Sequence, residues 1–397
     1  MGTCAATHDG MHGRGSLTLL HVRGVPIRAH WTLLLVLPYL MVVFSVQFAG
    51  VARMAGVDQV RLALPPLVWG AILAVGLLAS VTLHELAHVA VAKRFGGRVR
   101  GITLMLLGGV SQISKIPRRP RYEGLMALAG PAVSLLLGVL CVGLEHIVSG
   151  PADLKMGLFY LGYLNITLGV FNLIPAFPMD GGRILRALLA ARMGSLRATQ
   201  VAARVGRAAA ILMGIVGLWS GNFLLLLIAI FIYVGAGAEA TGERVRATLE
   251  GLRIADLVPR HPPPMISSDA AVSDVLPQMH DAGRLEMLVT EPSGRPQGVI
   301  RAADLIGITA ADRTQLRVGE LIARFPERQM EVPWDANLDE VIERAAEQGR
   351  SYIVVFDPGT TTPHSFVGLI TPSDIETMIA LRMAETQRGQ VISGSGR

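Results

Sequence analysis

The sequence predicts a polytopic α-helical membrane protein with about six transmembrane helices, followed by a soluble α/β module. Hydrophobic residues make up 51% of the 397 residues and charged residues only 17%, whereas soluble proteins carry about 25% charged residues. The long apolar runs lie before residue 240, and a repeated pattern of strand-like and helix-like segments follows residue 250. The chain is therefore expected to contain one domain in the membrane and at least one in water.

Six apolar segments have the length of a membrane span, which needs about 20 residues. They lie at approximately 30–50, 66–92, 123–147, 156–176, 205–220 and 222–240. Only three residues separate the last two segments, so a tight hairpin or a single broken helix is expected there. The predicted organisation is an N-terminal segment at 1–29, a transmembrane domain at 30–245, two soluble repeats at 250–310 and 315–382, and a disordered tail at 383–397.

Basic residues are concentrated in the loops that follow the second and fourth spans. The loop after the fourth span alone contains Arg183, Arg186, Arg192, Arg197, Arg204 and Arg207. The positive-inside rule places such loops in the cytoplasm, and an even number of spans then places both termini and the soluble module there as well. We therefore expect a multi-pass protein of the cell membrane, and we attribute the net charge of +6 to topology and not to nucleic acid binding.

One motif places ionisable side chains inside the second span. His84 and His88 are four residues apart, so on a helix they project from one face and can reach the same metal ion. An ionisable group at the centre of a span costs about 2.5–3.5 kcal/mol, and metal binding would offset that cost. Glu85 lies beside the pair, where it can take a proton from a water molecule. A catalytic zinc site usually has three protein ligands, so a third is expected elsewhere.

The segment after the fourth span contains the candidate for that third ligand. Asp180 is the one carboxylate close to the end of this span, and Pro175 and Pro178 break the helix before it. Broken helical backbone at membrane depth is tolerated where it faces the protein interior. The expected topology places Asp180 at a depth similar to that of His88.

The segment between the second and third spans is too apolar for a simple solvated loop. Residues 96–115 predict two short strands around a glycine turn at Gly108-Gly109, either dipping into the membrane interface or forming an ordinary cytoplasmic hairpin. An extended polypeptide that pairs with this strand edge would gain backbone hydrogen bonds. Prolines in place of Leu107 and Val110 would test that hypothesis by blocking the pairing.

Small residues recur along one face of the third span. Gly130, Ser134 and Gly138 are four residues apart, the spacing that lets helices approach closely in lipid. Pro131 predicts a kink at the same place. A structural role is therefore preferred for these residues over a catalytic one.

The motif HELAH at 84–88, followed two spans later by NLIPAFPMDGG at 172–182, resembles the site-2 protease family of intramembrane zinc metalloproteases. The resemblance covers about residues 66–183 and extends to Gly130-Pro131 and to the preceding Gly108-Gly109. The combination of these motifs is highly specific. Their spacing matches the family pattern of HExxH on one span and NxxPxxPxDG at the end of another.

The resemblance implies an activity and a role for each residue of the site. It implies one catalytic Zn²⁺ held by His84, His88 and Asp180, with Glu85 as general base and acid and Asn172 stabilising the oxyanion. The implied reaction is hydrolysis of peptide bonds within or near the membrane spans of single-span proteins in the lipid bilayer, as in the release of a membrane-tethered regulator.

The soluble repeats resemble a tandem pair of CBS domains. Two similar segments, at 253–257 and 317–321, open the units, and each is followed by a predicted amphipathic helix. The resemblance implies binding of an adenine nucleotide such as ATP or AMP by a hydroxyl and an aspartate. The second repeat has Thr371 and Asp374, whereas the first keeps Asp304 but has Arg301 in place of the hydroxyl. A pair that serves only dimerisation or structure is the alternative, which makes a homodimer a second candidate partnership.

A divalent-metal transporter regulated by a CBS pair is the competing function. Buried histidines and carboxylates can mark an ion path as well as a catalytic centre. Glu85 distinguishes the two, because hydrolysis needs a base between the histidines and transport does not.

Overall fold

A computed structural model describes residues 15–54, 64–105, 108–114, 119–149, 152–258, 263–325, 329–357 and 366–394. The chain divides into two compact units, of which one comprises Gly13–Glu243 and the other contains Arg244–Arg397. The two units are described separately.

The first unit is built from apolar helices and one small sheet. Its helices are α1 (Leu33–Met54), α2 (Pro66–Arg94), α3 (Pro120–Ile147), α4 (Ala152–Asn172), α5 (Asp180–Met193), α6 (Ser195–Trp219) and α7 (Phe223–Leu249). Within the described residues, α2, α3, α4, α6 and α7 are long and apolar enough to cross a membrane, and the apolar part of α1, Leu33–Gln47, is shorter. The predicted class of polytopic helical membrane protein is confirmed.

The last two predicted spans form the expected hairpin. Gly221 takes a positive φ of 64° in the turn between α6 and α7, a conformation that glycine adopts without steric cost. The structure differs from the prediction before this hairpin, where α5 and the first half of α6 replace an expected basic loop. The residues of α5 are mostly Ala, Leu and Arg, which are strong helix formers, and the acidic Asp180 stands at the N-terminus, where the helix dipole favours it.

A four-stranded sheet packs beside α2. Its strands are β1 (Ser16–Val22), β2 (Val25–His30), β3 (Arg98–Met105) and β4 (Gly108–Ser114). They lie in the order β1-β2-β3-β4, with β2 parallel to β3 and the other pairs antiparallel. The strands β1 and β2 were not predicted for the N-terminal segment, and β4 is an edge strand of this sheet.

The predicted pair of strands between α2 and α3 is present, but the predicted glycine turn is wrong. Gly108 and Gly109 belong to β4 and pair with Met105 and Leu104 of β3. The connection falls at residues 106–107, so Leu107 lies outside the described residues. A strand glycine often marks a close approach of another group to the backbone, and here that group is a side chain of the functional site.

The second unit contains two similar α/β halves, as the repeat predicts. The first half comprises β5 (Met265–Ser267), α8 (Val275–Ala282), β6 (Glu286–Thr290), β7 (Pro296–Arg301) and α9 (Ala310–Gln315). The second comprises α10 (Val318–Ile322), β8 (Gln329–Pro333), α11 (Leu338–Gln348), β9 (Tyr352–Phe356), β10 (Phe366–Ile370) and α12 (Pro372–Gly394). Each half has a three-stranded sheet, and both predicted amphipathic helices are present.

The opening segment of each repeat packs into the core of the other repeat. Ile254 and Leu257 are buried with Val332 and Ile370, whereas Leu321 is buried in the hydrophobic core of the first half. The two halves therefore fold together as one module.

The last helix continues into the tail. The helix α12 runs from Pro372 to Gly394, residues 395–397 lie outside the described part, and the disorder of the tail at 383–397 stays a prediction. The segment from 381 to 391 is rich in Leu, Arg, Met, Ala, Glu and Gln and has no proline, a composition that favours helix.

Candidate metal centre

Three predicted ligand side chains, His84, His88 and Asp180, come together although Asp180 is far along the chain. The histidines lie one turn apart on α2, and Asp180 is the first residue of α5. Both Nε2 atoms are 3.2 Å from Oδ2 of Asp180. A tetrahedral zinc ion, with bonds of about 2.0–2.1 Å, has ligand atoms about 3.3 Å apart. The two separations to Asp180 therefore match those that one zinc ion requires, and all three ligand atoms lie within 4.8 Å of one another.

Both histidines contact α3 through Nδ1. We call this atom the outer ring nitrogen, because Nε2 faces Asp180. Nδ1 of His88 lies 2.7 Å from the carbonyl oxygen of Met126, which can only accept, so this nitrogen carries the proton. Nδ1 of His84 lies 2.9 Å from Oγ of Ser134. A neutral ring whose Nδ1 carries the proton keeps the lone pair of Nε2 free for a metal ion, and the hydroxyl of Ser134 can accept from Nδ1 of His84 in the same way.

Gly130 of α3 provides the space that the two imidazoles occupy. A Cβ atom at this position would lie 2.3 Å from Nε2 of His88 and 2.5 Å from Nε2 of His84. Both distances are far below van der Waals contact. The absence of a side chain on Gly130 is therefore a requirement of the site.

The donor set suits a divalent ion such as Zn²⁺. Two imidazole nitrogens and one carboxylate oxygen are the protein ligands of many catalytic zinc sites, which leave one position for water. His84 and His88 are buried, and the side chain of Asp180 is 14% exposed. Within the part of the chain that the structure describes, this is the one cluster of His, Cys, Asp or Glu whose ligand atoms could hold a metal ion.

Glu85 lies next to the ligands and against the sheet. Its Oε2 accepts a hydrogen bond of 2.5 Å from Oγ of Ser111 on β4. Its Cγ lies so close to Gly109 that a Cβ there would be 2.3 Å away. Strand β4 thus packs on the side chain of Glu85 and fixes where its carboxylate lies.

Asn172 is placed differently from the three ligands. It is the last residue of α4, and its Nδ2 donates to the carbonyl oxygen of Leu168 in the same helix at 2.9 Å. One of the two hydrogens of this amide is thereby engaged within α4.

Three contributors to the site were not predicted. Ser134 and Gly130 were interpreted as packing residues, yet they contact the two imidazoles, whereas Gly138 does pack against α4 near Ile166. Ser111 was not singled out at all. The spacing of four from Gly130 to Ser134, opposite a span with histidines also four apart, is a signal that could have revealed the first two.

The predicted nucleotide residues differ between the two repeats. Thr371 donates through Oγ1 to Oδ2 of Asp374 at 2.8 Å. In the first repeat, Nη2 of Arg301 donates to Oδ1 of Asp304 at 2.9 Å, and this bond raises the pKa of Arg301 above its ordinary value. The carboxylate of Asp304 is thus already neutralised by the residue that replaces the expected hydroxyl.

Comparison with known proteins identifies relatives that match most of the chain. The model of peptidase family M50 matches residues 72–150 and 146–213, and the CBS domain model matches residues 254–310. Zinc metalloprotease MJ0392 of Methanocaldococcus jannaschii is 32% identical over 343 residues, which cover 85% of this chain and 91% of that protein. Rip3 of Mycobacterium tuberculosis is 31% identical over 396 residues, covering 94% and 95% of the two chains. A solved site-2 protease from M. jannaschii is 36% identical and covers 57% of this chain and 95% of its own, with a TM-score of 0.40.

Apolar helices around two imidazoles, a carboxylate and an adjacent glutamate define a membrane-embedded metallohydrolase. Similarity to zinc metalloproteases over most of the chain then identifies the family within this class. The chain belongs to peptidase family M50, the site-2 protease family, and carries a CBS module after its membrane domain. It is a metalloprotease, and its relatives indicate zinc as the metal.

Proposed function

We propose that this protein cleaves peptide bonds within or near the membrane spans of single-span proteins, using Zn²⁺ held by His84, His88 and Asp180. The single observation that supports this most is the convergence of the three ligand atoms inside a bundle of membrane-length helices. A catalytic site at that depth favours substrates that are themselves in the bilayer.

Each residue of the site has a proposed step in hydrolysis. A zinc ion bound there would act as a Lewis acid on the scissile carbonyl and lower the pKa of a water molecule. Glu85 removes a proton from the attacking water and delivers it to the leaving amine. Asn172 stabilises the oxyanion through its amide N–H groups. A glutamate between the ligands favours hydrolysis over metal transport.

The exposed edge of β4 is the proposed binding place for the substrate backbone. A peptide bond inside a helix is shielded by its own hydrogen bonds, so the substrate must unwind locally before attack. Within the described residues β4 pairs only with β3, and its other edge can add an extended segment as a further strand. Glu85 touches this strand through Ser111 and Gly109, which would bring the unwound segment to the catalytic base.

Removal of the metal tests the proposed reaction. The full-length protein, reconstituted into liposomes with a single-span reporter, should cut the reporter at a bond within or near its span. A zinc chelator should reduce cleavage to background, and stoichiometric Zn²⁺ should restore it. Mass spectrometry of the products locates the bond. Reporter cleavage at an unchanged rate in the presence of the chelator, or zinc uptake into the liposomes without cleavage, would contradict the proposal.

The orientation and the assembly are proposed from the sequence. The basic loops favour a cytoplasmic location for the termini and the CBS module, in the cell membrane. A homodimer formed through the CBS module is the proposed assembly, and the mass of the detergent-solubilised protein tests it.

We further propose that the CBS module binds an adenine nucleotide in its second repeat only. Thr371 and Asp374 offer a hydroxyl and a carboxylate there, and Nη1 of Arg284 lies 3.9 Å from Oδ1 of Asp374, which adds a positive charge suited to phosphate. In the first repeat, Arg301 occupies the carboxylate of Asp304. The bound nucleotide would modulate the protease.

Matched substitutions in the two repeats test this assignment. Hydrogen bonds to charged groups contribute about 1.5–3 kcal/mol, so Asp374→Asn should weaken ATP or AMP binding by about tenfold or more. The corresponding change Asp304→Asn should leave the affinity unchanged. Calorimetric titration of the full-length protein measures both. Equal losses in the two variants would mean that both repeats bind nucleotide.

A further inference from the structure

Three charged side chains from three helices meet at Arg186 of α5, the helix that begins with Asp180. Nε of Arg186 on α5 donates to Oε1 of Glu123 on α3 at 2.6 Å, and Nη2 donates to the same oxygen. Nη1 of Arg186 donates to Oε1 of Glu239 on α7 at 3.0 Å. We call this group of Glu123, Arg186 and Glu239 the Arg186 clasp.

The clasp differs from an ordinary surface ion pair. The side chain of Arg186 is 15% exposed, and those of Glu123 and Glu239 are 25% and 31% exposed. The guanidinium also lies 5.6 Å from the ring centroid of the fully buried Phe177. Solvent-exposed pairs contribute little, whereas a guanidinium that donates from three nitrogens in a partly buried site holds its partners in one geometry.

The clasp joins the two helices on which the metal site depends. The α3 helix holds both histidines from behind, through Met126 and Ser134, and Glu123 lies one turn before Met126. The α5 helix begins at Asp180, and Arg186 lies within its second turn. The distance between Asp180 and the two histidines therefore depends on how α5 is fixed against α3.

We propose that Arg186 is a positioning residue of the metal centre: through Glu123 it holds α5, and with it Asp180, in register with the helix that supports His84 and His88. This inference rests on the proposed zinc site. Groups that hydrogen-bond metal ligands typically contribute about 10–100-fold to metal affinity, and Arg186 acts on the ligands one step further out, through the helices that hold them. Glu239 on α7 holds the other side of Arg186 and fixes the guanidinium.

Zinc affinity of the full-length protein tests the proposal. Competition with a chromophoric chelator should show that Arg186→Met and Glu123→Gln weaken Zn²⁺ binding by about tenfold or more. Arg186→Lys keeps the positive charge but cannot donate from three separate nitrogens, so it should recover part of the lost zinc affinity. Glu239→Gln should weaken zinc binding less than Glu123→Gln does. Arg192 is exposed on the same helix, so Arg192→Met is the matched control and should bind zinc as the wild type does.

Two further measurements separate positioning from general stability. The visible absorption spectrum of the Co²⁺-substituted protein should change in Glu123→Gln, because the geometry around the ion changes. Thermal unfolding of the metal-free protein reports the structural effect alone. A loss of thermal stability in Glu123→Gln and Arg186→Lys with unchanged zinc affinity and an unchanged Co²⁺ spectrum would overturn the proposal. Absence of zinc binding in the wild type would instead overturn the proposed function.

Discussion

Replacement of Glu85 by Gln is expected to stop cleavage of a single-span reporter while zinc stays bound. Glutamine has nearly the same shape and its amide oxygen can still accept from Ser111, but it cannot take a proton from water. General acid–base catalysis contributes about 10²–10⁴-fold, so the rate should fall by at least about 100-fold. His84, His88 and Asp180 are unaffected by the change, so the zinc content should match that of the wild type.

The measurement pairs reporter cleavage with metal analysis of the same sample. Glu145 provides a matched control, because it is also a buried glutamate on a membrane helix but pairs with His146 at 3.1 Å. Glu145→Gln should keep wild-type cleavage. Persistent cleavage by Glu85→Gln in a background without other proteases would contradict the assignment of Glu85 as the base.

The sequence predicts the membrane fold because each apolar run carries its own signal. Length and hydropathy predict five spans that are found among the described residues, the first predicted span has a shorter apolar helix there, and the break at 220–222 separates α6 from α7 as expected. The helix α5 was missed because a basic amphipathic segment between two spans has the composition of a cytoplasmic loop. Strand β2 was missed because its position depends on parallel pairing with β3, where Ile27 lies opposite Ile102. Such a distant partner leaves no local pattern.

The proposed metal ligands are predictable for a related reason. His84 and His88 share a helix face by spacing alone, and their cost in lipid marks them as functional. Asp180 required the proline-broken segment before it as a second clue, and the structure brings it to both histidines.

The groups around the ligands were harder to predict. The contact from Met126 is a backbone carbonyl, which no residue type signals. Ser111 contacts Glu85 only because β4 packs on α2. Arg186 resembles the other arginines of a basic segment until its partners on α3 and α7 are known. Supporting residues are therefore determined by tertiary packing, whereas the ligands themselves are indicated by local spacing.

The arrangement of these contacts gives α3 a central part in the site although it contributes no ligand. It donates or accepts at both outer ring nitrogens, leaves room for both rings at Gly130, and binds Arg186 through Glu123. Substitutions on α3 should therefore weaken metal binding even though no side chain of α3 is a proposed ligand.

Replacement of Gly130 by Ala is the strongest test of that view. The added methyl group would lie 2.3 Å and 2.5 Å from the two Nε2 atoms, so both imidazoles must move away from the metal position. Their outer nitrogens are held by Met126 and Ser134, so neither ring can retreat without losing a hydrogen bond. We expect zinc affinity to fall by more than about 100-fold, beyond what the loss of one supporting group costs, and reporter cleavage to fall with it.

Gly143 on the same helix supplies the control. A Cβ there meets no atom within 4 Å, and Gly→Ala at a compatible helical position stabilises by about 0.4–1 kcal/mol. Gly143→Ala should therefore bind zinc and cleave the reporter as the wild type does, with equal or higher thermal stability. Wild-type zinc affinity in Gly130→Ala would show that the imidazoles can bind the metal from another position, and α3 would then not determine the geometry of the site.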